Sequence, residues 1–373
     1  MKFNYSFKIQ YVFVLILAAS LNLLGVIMVR SASDMNSVIV QRQIIGSVAG
    51  FILCLFVSFF DYKRLFKYAA LFYIVINVML IAVILYGVVA GGAGRWIELP
   101  VVGRIQPAEF AKAGLILCFA AYFDRHSGDL NTFRNILKAF IMVGIPALLI
   151  FLEPNLSTTI ILFVIFFVML CVSGLSIKLI AIFCGVGAGF TALMYYLFST
   201  DKYEAIPFIK DYQKKRILSF LDPTSDPDSW RQTQNSIMAI GSGGFFGKGV
   251  NNTDINSVKA GNFLIEEETD FIFAVIGEEL GFRGCLLILI LYFLLIVVIL
   301  YIGGKSEDTG GCAICVGVAT WLAFQTFTNV AVCTGLFPNT GVTLPFFSRG
   351  VSSIAAIYVG LGMVLNVCLK EKR

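Results

Sequence analysis

The chain has 373 residues, of which 58% are hydrophobic and only 14% are charged. Soluble domains carry about a quarter charged residues, and the mean hydropathy of +0.86 excludes a protein whose whole surface meets water. Because the apolar residues are spread along the whole length, a soluble body with a single anchor is excluded as well. The net charge is a modest +5. The composition predicts a polytopic membrane protein.

Ten apolar stretches are predicted to cross the membrane, since a spanning helix needs about 20 largely apolar residues. No small-residue cleavage site follows the first stretch, so we expect a retained helix and not a signal peptide. The predicted fold is an all-α polytopic membrane protein, one domain over residues 1–373, with a large extracytoplasmic loop, residues 199–284, between the seventh and eighth spans. The ten stretches are Tyr11–Val29, Ile44–Phe60, Ala69–Ala90, Glu109–Phe123, Ala139–Leu152, Thr158–Ser173, Leu179–Phe198, Cys285–Gly303, Gly311–Thr334 and Ser352–Leu369.

The distribution of Lys and Arg predicts the orientation, because short cytoplasmic loops are enriched in these residues. Thirteen of the 28 lie at the two chain ends and in the short loops of the same side, whereas six lie in or beside the short loops opposite. The other nine fall between the seventh and eighth spans, and a long loop reports poorly on orientation. Both termini are therefore predicted to be cytoplasmic and the long loop extracytoplasmic.

The nine cysteines do not have the pattern of a disulfide framework. All lie in or beside apolar runs, where free Cys behaves as a small hydrophobic residue. Cys312 and Cys315 form a CxxC pair, but no second pair accompanies it and His126 is the only histidine. We therefore expect neither a redox nor a metal role for this pair.

The long loop is the only sizeable polar region, and two short helices are predicted in it. Pro207–Leu221 has an amphipathic pattern with proline at the first helical position, where its missing N–H does no harm. It is expected to end at the turn Asp222–Pro227. Asn235–Ile240 is the second candidate, ended by the glycines that begin at Gly241.

The glycine-rich stretch Gly241–Gly249 does not form a phosphate-binding loop. Ser242 stands where the first required glycine would be, and Gly249 stands where Ser or Thr must follow Lys248. A tight re-entrant turn is predicted instead, with N–H groups that are still able to contact an anion.

The segment Thr269–Gly281 places Asp270 at the head of an apolar run and an acidic pair, Glu278 and Glu279, about two helical turns later. Two interpretations are open from the residues. Asp270 either caps a helix and offsets its dipole, or it is a carboxylate whose proton affinity is raised by partial desolvation at a membrane interface.

A second group of ionisable residues begins at Gly94-Arg95-Trp96-Ile97 and continues through Glu109 and Lys112. Trp favours the membrane interface, so Arg95 and Trp96 suit an anchor there. The i,i+3 spacing of Glu109 and Lys112 suits a pair on one helix face. Ionisable groups in a span are costly and usually functional, so we favour a functional role.

A basic cluster follows in the long loop, where Asp211-Tyr212-Gln213 precedes Lys214-Lys215-Arg216. Two interpretations are again open, because such a cluster attracts anionic lipid headgroups and also suits a diphosphate site.

With these motifs the chain resembles the SEDS family, the shape, elongation, division and sporulation proteins RodA, FtsW and SpoVE. The likeness runs from Gln41-Arg42-Gln43 to the last span. The motifs that carry it are Gly94–Ile97, Gln106-Pro107-Ala108-Glu109-Phe110-Ala111-Lys112, Asp211–Gln213 through Arg216-Ile217, Gly241–Gly244 with Gly247–Gly249, and Thr269–Ala274 with Gly277–Gly281.

The resemblance implies a peptidoglycan glycosyltransferase that polymerises lipid II, the undecaprenyl-diphosphate-linked disaccharide peptide, in the bacterial plasma membrane. It implies a class B penicillin-binding protein as transpeptidase partner and gives no reason to expect nucleic acid. It does not tell elongation from division or sporulation. It implies a catalytic aspartate at Asp270, and supporting roles at the substrate for Arg42, Arg95, Trp96, Glu109, Lys112 and Gln213.

The chain departs from the usual family pattern at three places. Glu153-Pro154-Asn155 stands where the family has Gln-Pro-Asp, and Asn155 cannot ionise, so any base or metal-ligand role there would fall to Glu153. Arg349 and Val351 replace a Tyr and a Gly near the last span. Glu266-Glu267-Glu268 stands where the family has Pro-Glu-x-His. We expect the reaction class to be kept.

In the expected reaction, a sugar 4-hydroxyl of lipid II attacks the anomeric carbon of the growing chain and displaces undecaprenyl diphosphate. Asp270 is predicted to accept the hydroxyl proton. The leaving diphosphate needs nearby cations, for which Arg95, Lys112, Arg216 and Lys248 are the candidates. A divalent cation, Mg²⁺ or Mn²⁺, is expected to assist, and no organic cofactor is expected.

Two other functions fit the same features. A lipid II flippase would also have ten helices with buried charges, and a non-catalytic scaffold for a transpeptidase would tolerate Asn155 and Arg349. The enzyme is favoured because the ionisable motifs cluster at the outer side and because the largest polar segment carries the most specific motif.

Overall fold

The computed structural model describes residues 8–33, 35–90, 93–99, 103–200, 211–224, 227–252, 257, 261, 264 and 267–370. These residues form a helical bundle with one small sheet. The helices are α1 (Ile9–Ala32), α2 (Ser37–Ser58), α3 (Tyr62–Phe66), α4 (Ala69–Tyr86), α5 (Pro107–Arg125), α6 (Phe133–Leu152), α7 (Leu156–Val172), α8 (Ile177–Ser199), α9 (Asp211–Leu221), α10 (Pro227–Gly243), α11 (Ile272–Gly304), α12 (Thr309–Cys333) and α13 (Val351–Lys370). The strands are β1 (Val88–Ala90), β2 (Ala93–Leu99) and β3 (Gly103–Ile105).

Eight helices of the described chain are long and apolar enough to cross a membrane, namely α1, α2, α4, α6, α8, α11, α12 and α13. The multi-pass membrane architecture is thus confirmed. Two further predicted spans correspond to α7, which is apolar but has only 17 residues, and to α5, which carries four charged side chains. Thirteen of the 19 residues of α5 are buried in the bundle, and Glu109 and Lys112 are among them, so lipid does not meet these two charges. The count of ten spans therefore stays a prediction.

The centre of the bundle is formed by α12 and α13, which are the most buried of the apolar helices. Glycines allow α2 to approach α13 closely. A Cβ on Gly50 would lie 2.6 Å from the Tyr358 ring, and a Cβ on Gly362 would lie 2.7 Å from the Cys54 carbonyl oxygen. Small residues at helix contacts let backbones approach in this way within membranes.

A break at Gly281 divides α11 into two helical parts. Gly281 has φ +66° and ψ −168°, a conformation that favours glycine. Residues 282–304 measure about 34 Å along the axis, enough for the hydrocarbon core of a bilayer. Residues 272–280 precede this span as a separate short helix, so Asp270 lies ahead of both parts.

A tight turn is present in the glycine-rich stretch, but it begins after Gly243 and not at Gly241 as predicted, and it packs against this break. The helix α10 ends at Gly243, and Gly244, Gly247 and Gly249 all have positive φ. The turn binds α11 through its backbone, since the N–H of Lys248 donates to the Glu278 carbonyl at 2.9 Å.

The sheet was not predicted, and it joins α4 to α5. Its strands are antiparallel in the order β1, β2, β3. The second loop helix is also longer than predicted, because α10 covers Pro227–Gly243. The helix predicted from Pro207 is described from Asp211 only, and Pro207 itself lies outside the described residues.

Charged side chains join the helices at the end of the bundle opposite to Asp270. Lys63 contacts Asp308 at 2.6 Å, and Lys370 pairs with Asp61. Burial would raise the pKa of the Asp308 carboxyl, but hydrogen bonds from Lys63 and Tyr62 outweigh it and lower this pKa. The carboxylate is therefore ionised and stays paired at neutral pH.

Candidate active site

Asp270 lies in the turn before α11, and its side chain is partly exposed. The N-cap position of α11 is occupied by Phe271, so the geometry favours a carboxylate at the site surface over a capping residue. The backbone of Asp270 is fixed from α12, because the side-chain amide of Asn329 donates to its carbonyl oxygen at 2.8 Å.

Gly341 lies close to the Asp270 carboxylate. A Cβ built on Gly341 would lie 3.2 Å from Asp270 Oδ2 and 3.7 Å from Arg216 Nη1. Gly341 also has φ +69°, so another residue would be strained there. The missing side chain thus lets the Asp270 carboxylate and the Arg216 guanidinium both approach the Gly341 backbone closely.

The segment between α12 and α13 folds over the Asp270 turn. Asn329 donates to the Val342 carbonyl at 2.7 Å, and Ser348 Oγ donates to the Thr269 carbonyl at 2.5 Å. Arg349 donates its backbone N–H to Glu268 at 2.7 Å and forms an ion pair with the Glu268 side chain. Two departures from the family pattern, at Glu268 and Arg349, therefore contact each other. Glu266 lies outside the described residues.

Lys112 is fully buried, and a polar network links it to this segment. Its Nζ contacts Glu109 Oε1 at 2.9 Å, as the i,i+3 spacing suggested, and donates to Gln325 Oε1 at 3.0 Å. The Gln325 amide donates to the Thr343 carbonyl at 2.9 Å. The Nζ also lies 4.8 Å from the centre of the Trp321 ring. Lys112 therefore reaches the Asp270 region through Gln325 and Thr343.

Arg95 lies on β2 and binds the turn between α6 and α7. Its Nε donates to the Glu153 carbonyl at 3.4 Å, and its Nη2 donates to the Pro154 carbonyl. Burial raises the pKa of the Glu153 carboxyl to about 8, and the charge of Arg95 opposes this rise. Asn155 caps α7 by accepting the N–H of Thr158 at 3.3 Å, a role in which Asn is as good as Asp.

The other predicted substrate residues lie in different surroundings. Lys248 pairs with the buried carboxylate of Glu278 at 2.8 Å. Glu278 lies near the end of residues 272–280, the short helix that follows Asp270. Arg42 is exposed on α2, Trp96 is half-buried on β2, and Gln213 is buried on α9. Of the four candidate cations, Arg216 is the one that the geometry places beside Asp270.

In the part of the chain that the structure describes, no group of three His, Cys, Asp or Glu side chains converges to hold a metal ion. The described residues therefore do not form a complete metal site by themselves.

Two buried residues of α12, Gln325 and Asn329, were missed by the sequence analysis. Both are amides inside an apolar span, and intramembrane polar side chains mark functional sites. That signal was available. Gly341 gave no signal, because its closeness to Asp270 and Arg216 depends on the fold.

A known protein family matches a part of the chain that includes the residues of this site. The family FTSW_RODA_SPOVE, described as a cell cycle protein, matches residues 10–373. The chain belongs to this family. The FtsW/RodA/SpoVE match includes every element of the site described above.

Relatives of known name agree with the family assignment. The chain is 31% identical over 359 residues to the peptidoglycan glycosyltransferase MrdB of Escherichia coli, covering 96% of this chain and 93% of the relative. The crystal structure of the rod shape determining protein RodA of Thermus thermophilus superposes with a TM-score of 0.70, at 26% identity and over 96% of this chain and 97% of RodA. A chain from a peptidoglycan synthase complex, studied for how polymerisation and crosslinking are coordinated, gives a TM-score of 0.76 at 28% identity, over 95% of this chain and 96% of that one.

Proposed function

We propose that Asp270 is the general base of a peptidoglycan glycosyltransferase that polymerises lipid II. The reaction class follows from the FtsW/RodA/SpoVE family and from relatives named for that activity. The assignment of the base rests on one observation, that the Asp270 carboxylate and the Arg216 guanidinium both lie within 4 Å of the point where a Gly341 Cβ would be.

In the proposed step, the 4-hydroxyl oxygen of the acceptor sugar forms a bond to the anomeric carbon of the growing glycan. The bond from that carbon to the diphosphate oxygen breaks, and undecaprenyl diphosphate leaves with the electron pair. The hydroxyl proton passes to Asp270. A positioned base of this kind contributes about a hundred- to ten-thousandfold to the rate.

Arg216 is the residue we assign to the leaving diphosphate. The leaving group gains negative charge in the transition state, so a fixed guanidinium near the reacting carbon lowers the barrier. Arg95, Lys112 and Lys248 are held by protein carbonyls or carboxylates. For these three we propose support of the site rather than direct contact with phosphate. Arg42, Trp96 and Gln213 stay candidates for substrate contact.

A divalent cation remains part of the proposal only as a ligand of the substrate. Mg²⁺ is commonly held by one or two carboxylates together with phosphate oxygens, so Asp270 and a diphosphate would suffice without a protein cage. Polymerisation after chelation with EDTA, with and without added Mg²⁺ or Mn²⁺, tests this point.

We further propose that the protein works with a class B penicillin-binding protein in the bacterial plasma membrane, both termini being cytoplasmic. The similarity to a chain of a peptidoglycan synthase complex supports a partner of this kind. The eight long apolar helices support the membrane location.

The experiment that tests the function gives the purified protein, with its cognate transpeptidase, labelled lipid II in detergent and separates the products by length. We expect glycan strands. The same protein in vesicles separates the enzyme from the rival hypotheses. If the wild type made no polymer but moved lipid II across the bilayer, the flippase would be correct. If it did neither but bound the transpeptidase, it would be a scaffold.

A further inference from the structure

A cavity of about 310 Å³ is lined in part by Arg216, the residue that lies near the proposed base Asp270. Its walls come from α9, from α10 and from the segment that follows α12. The site is fixed to the bundle, because Ser236 Oγ on α10 donates to the Cys333 carbonyl at the end of α12 at 2.8 Å. Its volume is at the lower end of the range of small-ligand sites.

The lining combines flat apolar rings with amide side chains. Trp230 and Phe337 supply the rings, while Gln232 and Asn339 supply amides that both donate and accept hydrogen bonds. A pyranose presents an apolar face of ring C–H groups and a rim of hydroxyls, so it matches this combination. An acetamido group on the sugar adds one more donor and acceptor for the amides.

Arg216 connects this cavity to the proposed base. It lines the cavity, and its Nη1 lies 3.7 Å from the point where a Gly341 Cβ would be. Asp270 Oδ2 lies 3.2 Å from the same point. Asn339 adjoins the same turn, because its Oδ1 accepts the N–H of Gly341 at 3.2 Å. Arg216 and Asn339 therefore join the cavity to the surroundings of Asp270.

We propose that this cavity binds the terminal amino sugar of the acceptor, the ring whose hydroxyl attacks. The inference rests on the proposed function. In the acceptor this ring is one sugar further from the lipid anchor than the carbon that bears the diphosphate. The cavity lies among the elements outside the spans, which fits the acceptor ring. The donor must keep its diphosphate near the membrane, so it fits the cavity less well.

Two variants on α10 provide a matched test. Gln232 lines the cavity, whereas Gln234 is exposed on the same helix. Gln232→Ala should raise the KM for lipid II about tenfold with little change in kcat, because a contact made equally in the ground and transition states affects KM alone. Gln234→Ala should behave as the wild type. Equal KM values for the two variants would overturn the proposal.

Binding without catalysis gives a second, independent readout. The soluble disaccharide N-acetylglucosaminyl-N-acetylmuramic acid should change the tryptophan emission of the wild type saturably, and Trp230→Phe should abolish that change. Maltose, of similar size but without acetamido groups, should cause less than a tenth of it at equal concentration. No emission change in the wild type, or an equal change in Trp230→Phe, would contradict the proposal.

Failure of the cavity proposal and failure of the proposed function would give different results. If the wild type polymerises lipid II but the cavity variants match it in KM and emission, the cavity proposal alone is wrong. If the wild type makes no polymer, the proposed function is wrong, whereas disaccharide binding that depends on Trp230 would still show that the cavity is a sugar site.

Discussion

Glu153 is a buried acid, and its burial favours the protonated, uncharged form of the carboxyl. Only 2% of it is exposed, and neither carboxyl oxygen has a hydrogen-bond partner within the described part of the chain. Burial raises its pKa from 4.5 to about 8 despite the charge of Arg95. At pH 6 the folded protein therefore holds a proton that the unfolded chain has released.

Because the folded and unfolded states differ in this proton, we expect the stability of the protein to depend on pH. The pKa of Glu153 is higher in the folded protein than in the unfolded chain. Its contribution to the free energy of unfolding is therefore present in full below pH 4.5 and is lost as pH rises to about 8. Between these values the loss is up to about 1.4 kcal/mol per pH unit. Glu153→Gln, which is always neutral, should unfold at a higher temperature than the wild type at pH 8 and at a similar temperature at pH 5. Thermal unfolding in detergent measures this, and equal melting temperatures at pH 8 would contradict it.

Asn329 is a positioning residue for the proposed base, since one buried amide donates to the carbonyls of both Asp270 and Val342. Asn329→Asp keeps the size of the side chain and removes both donors. We expect kcat for lipid II polymerisation to fall at least about tenfold with little change in KM, because small misplacements of a catalytic group are costly.

The neighbouring residue provides the control for this prediction. Thr328 makes its side-chain hydrogen bond inside α12, to the Phe324 carbonyl at 2.7 Å, so Thr328→Val should leave kcat near the wild-type value. Activities are compared per folded protein, measured by monodisperse elution. A parallel loss in both variants would indicate a general effect on the helix and would sink the positioning role.

Among the helices, α5 carries an ion pair into the interior of the bundle. Lys112 and Glu109 are both buried and contact each other at 2.9 Å. Breaking a buried pair by removing one partner costs about 3–5 kcal/mol, because the other charge is left without compensation. Lys112→Met should therefore lower the melting temperature and the yield of the protein.

The double variant tests whether the uncompensated charge is the cause. Glu109→Gln together with Lys112→Met removes both charges, so it should regain most of the lost melting temperature. A double variant that is no more stable than Lys112→Met would contradict this explanation and would point to lost packing of the lysine stem.

Much of the helix and turn structure was predictable from the sequence, because it depends on local interactions. The apolar runs predicted the spanning helices, and the glycines after Gly241 predicted the turn. The spacing of Glu109 and Lys112 predicted their pairing. Each prediction depends on residues that are close in the chain.

What the sequence could not predict depends on residues that are distant in the chain. The pair of Lys248 with Glu278 joins residues 30 positions apart, so Lys248 looked like a free cation. Arg349 and Glu268 looked like separate departures from the family pattern, yet they contact each other across 81 positions. Strands β1 and β3 have three residues each, too few for a period to show, and the seven residues of β2 do not alternate between apolar and polar.

In the whole molecule, the proposed function requires Asp270 and the cavity to face outward. The opposite end of the bundle carries the Lys63 and Asp308 pair and is predicted to be cytoplasmic by the positive-inside rule. Thr224 and Ser127 are exposed at the two ends, one after α9 and one after α5.

Labelling these two positions tests the orientation. A membrane-impermeant maleimide added to intact spheroplasts should label Thr224→Cys and should not label Ser127→Cys, each compared with the wild type as background for its own cysteines. After permeabilisation both should be labelled. Labelling of Ser127→Cys in intact spheroplasts would reverse the orientation.

The central claim is that the Asp270 carboxylate accepts the proton of the attacking hydroxyl. Asp270→Asn keeps the size of the side chain and removes the proton acceptor and the charge, while Phe271 at the N-cap and the contact from Asn329 to the backbone are left in place. Asp270→Glu keeps the acid and displaces it by about an ångström, which is costly for a catalytic group.

The most direct measurement is therefore the rate of lipid II polymerisation by the purified protein with its cognate transpeptidase, compared between the wild type, Asp270→Asn and Asp270→Glu at equal folded concentration. We expect a fall of about two orders of magnitude or more for Asp270→Asn and little residual activity for Asp270→Glu. Near-normal polymer from Asp270→Asn would contradict the claim and would direct attention to Glu153, Glu278 and Glu279.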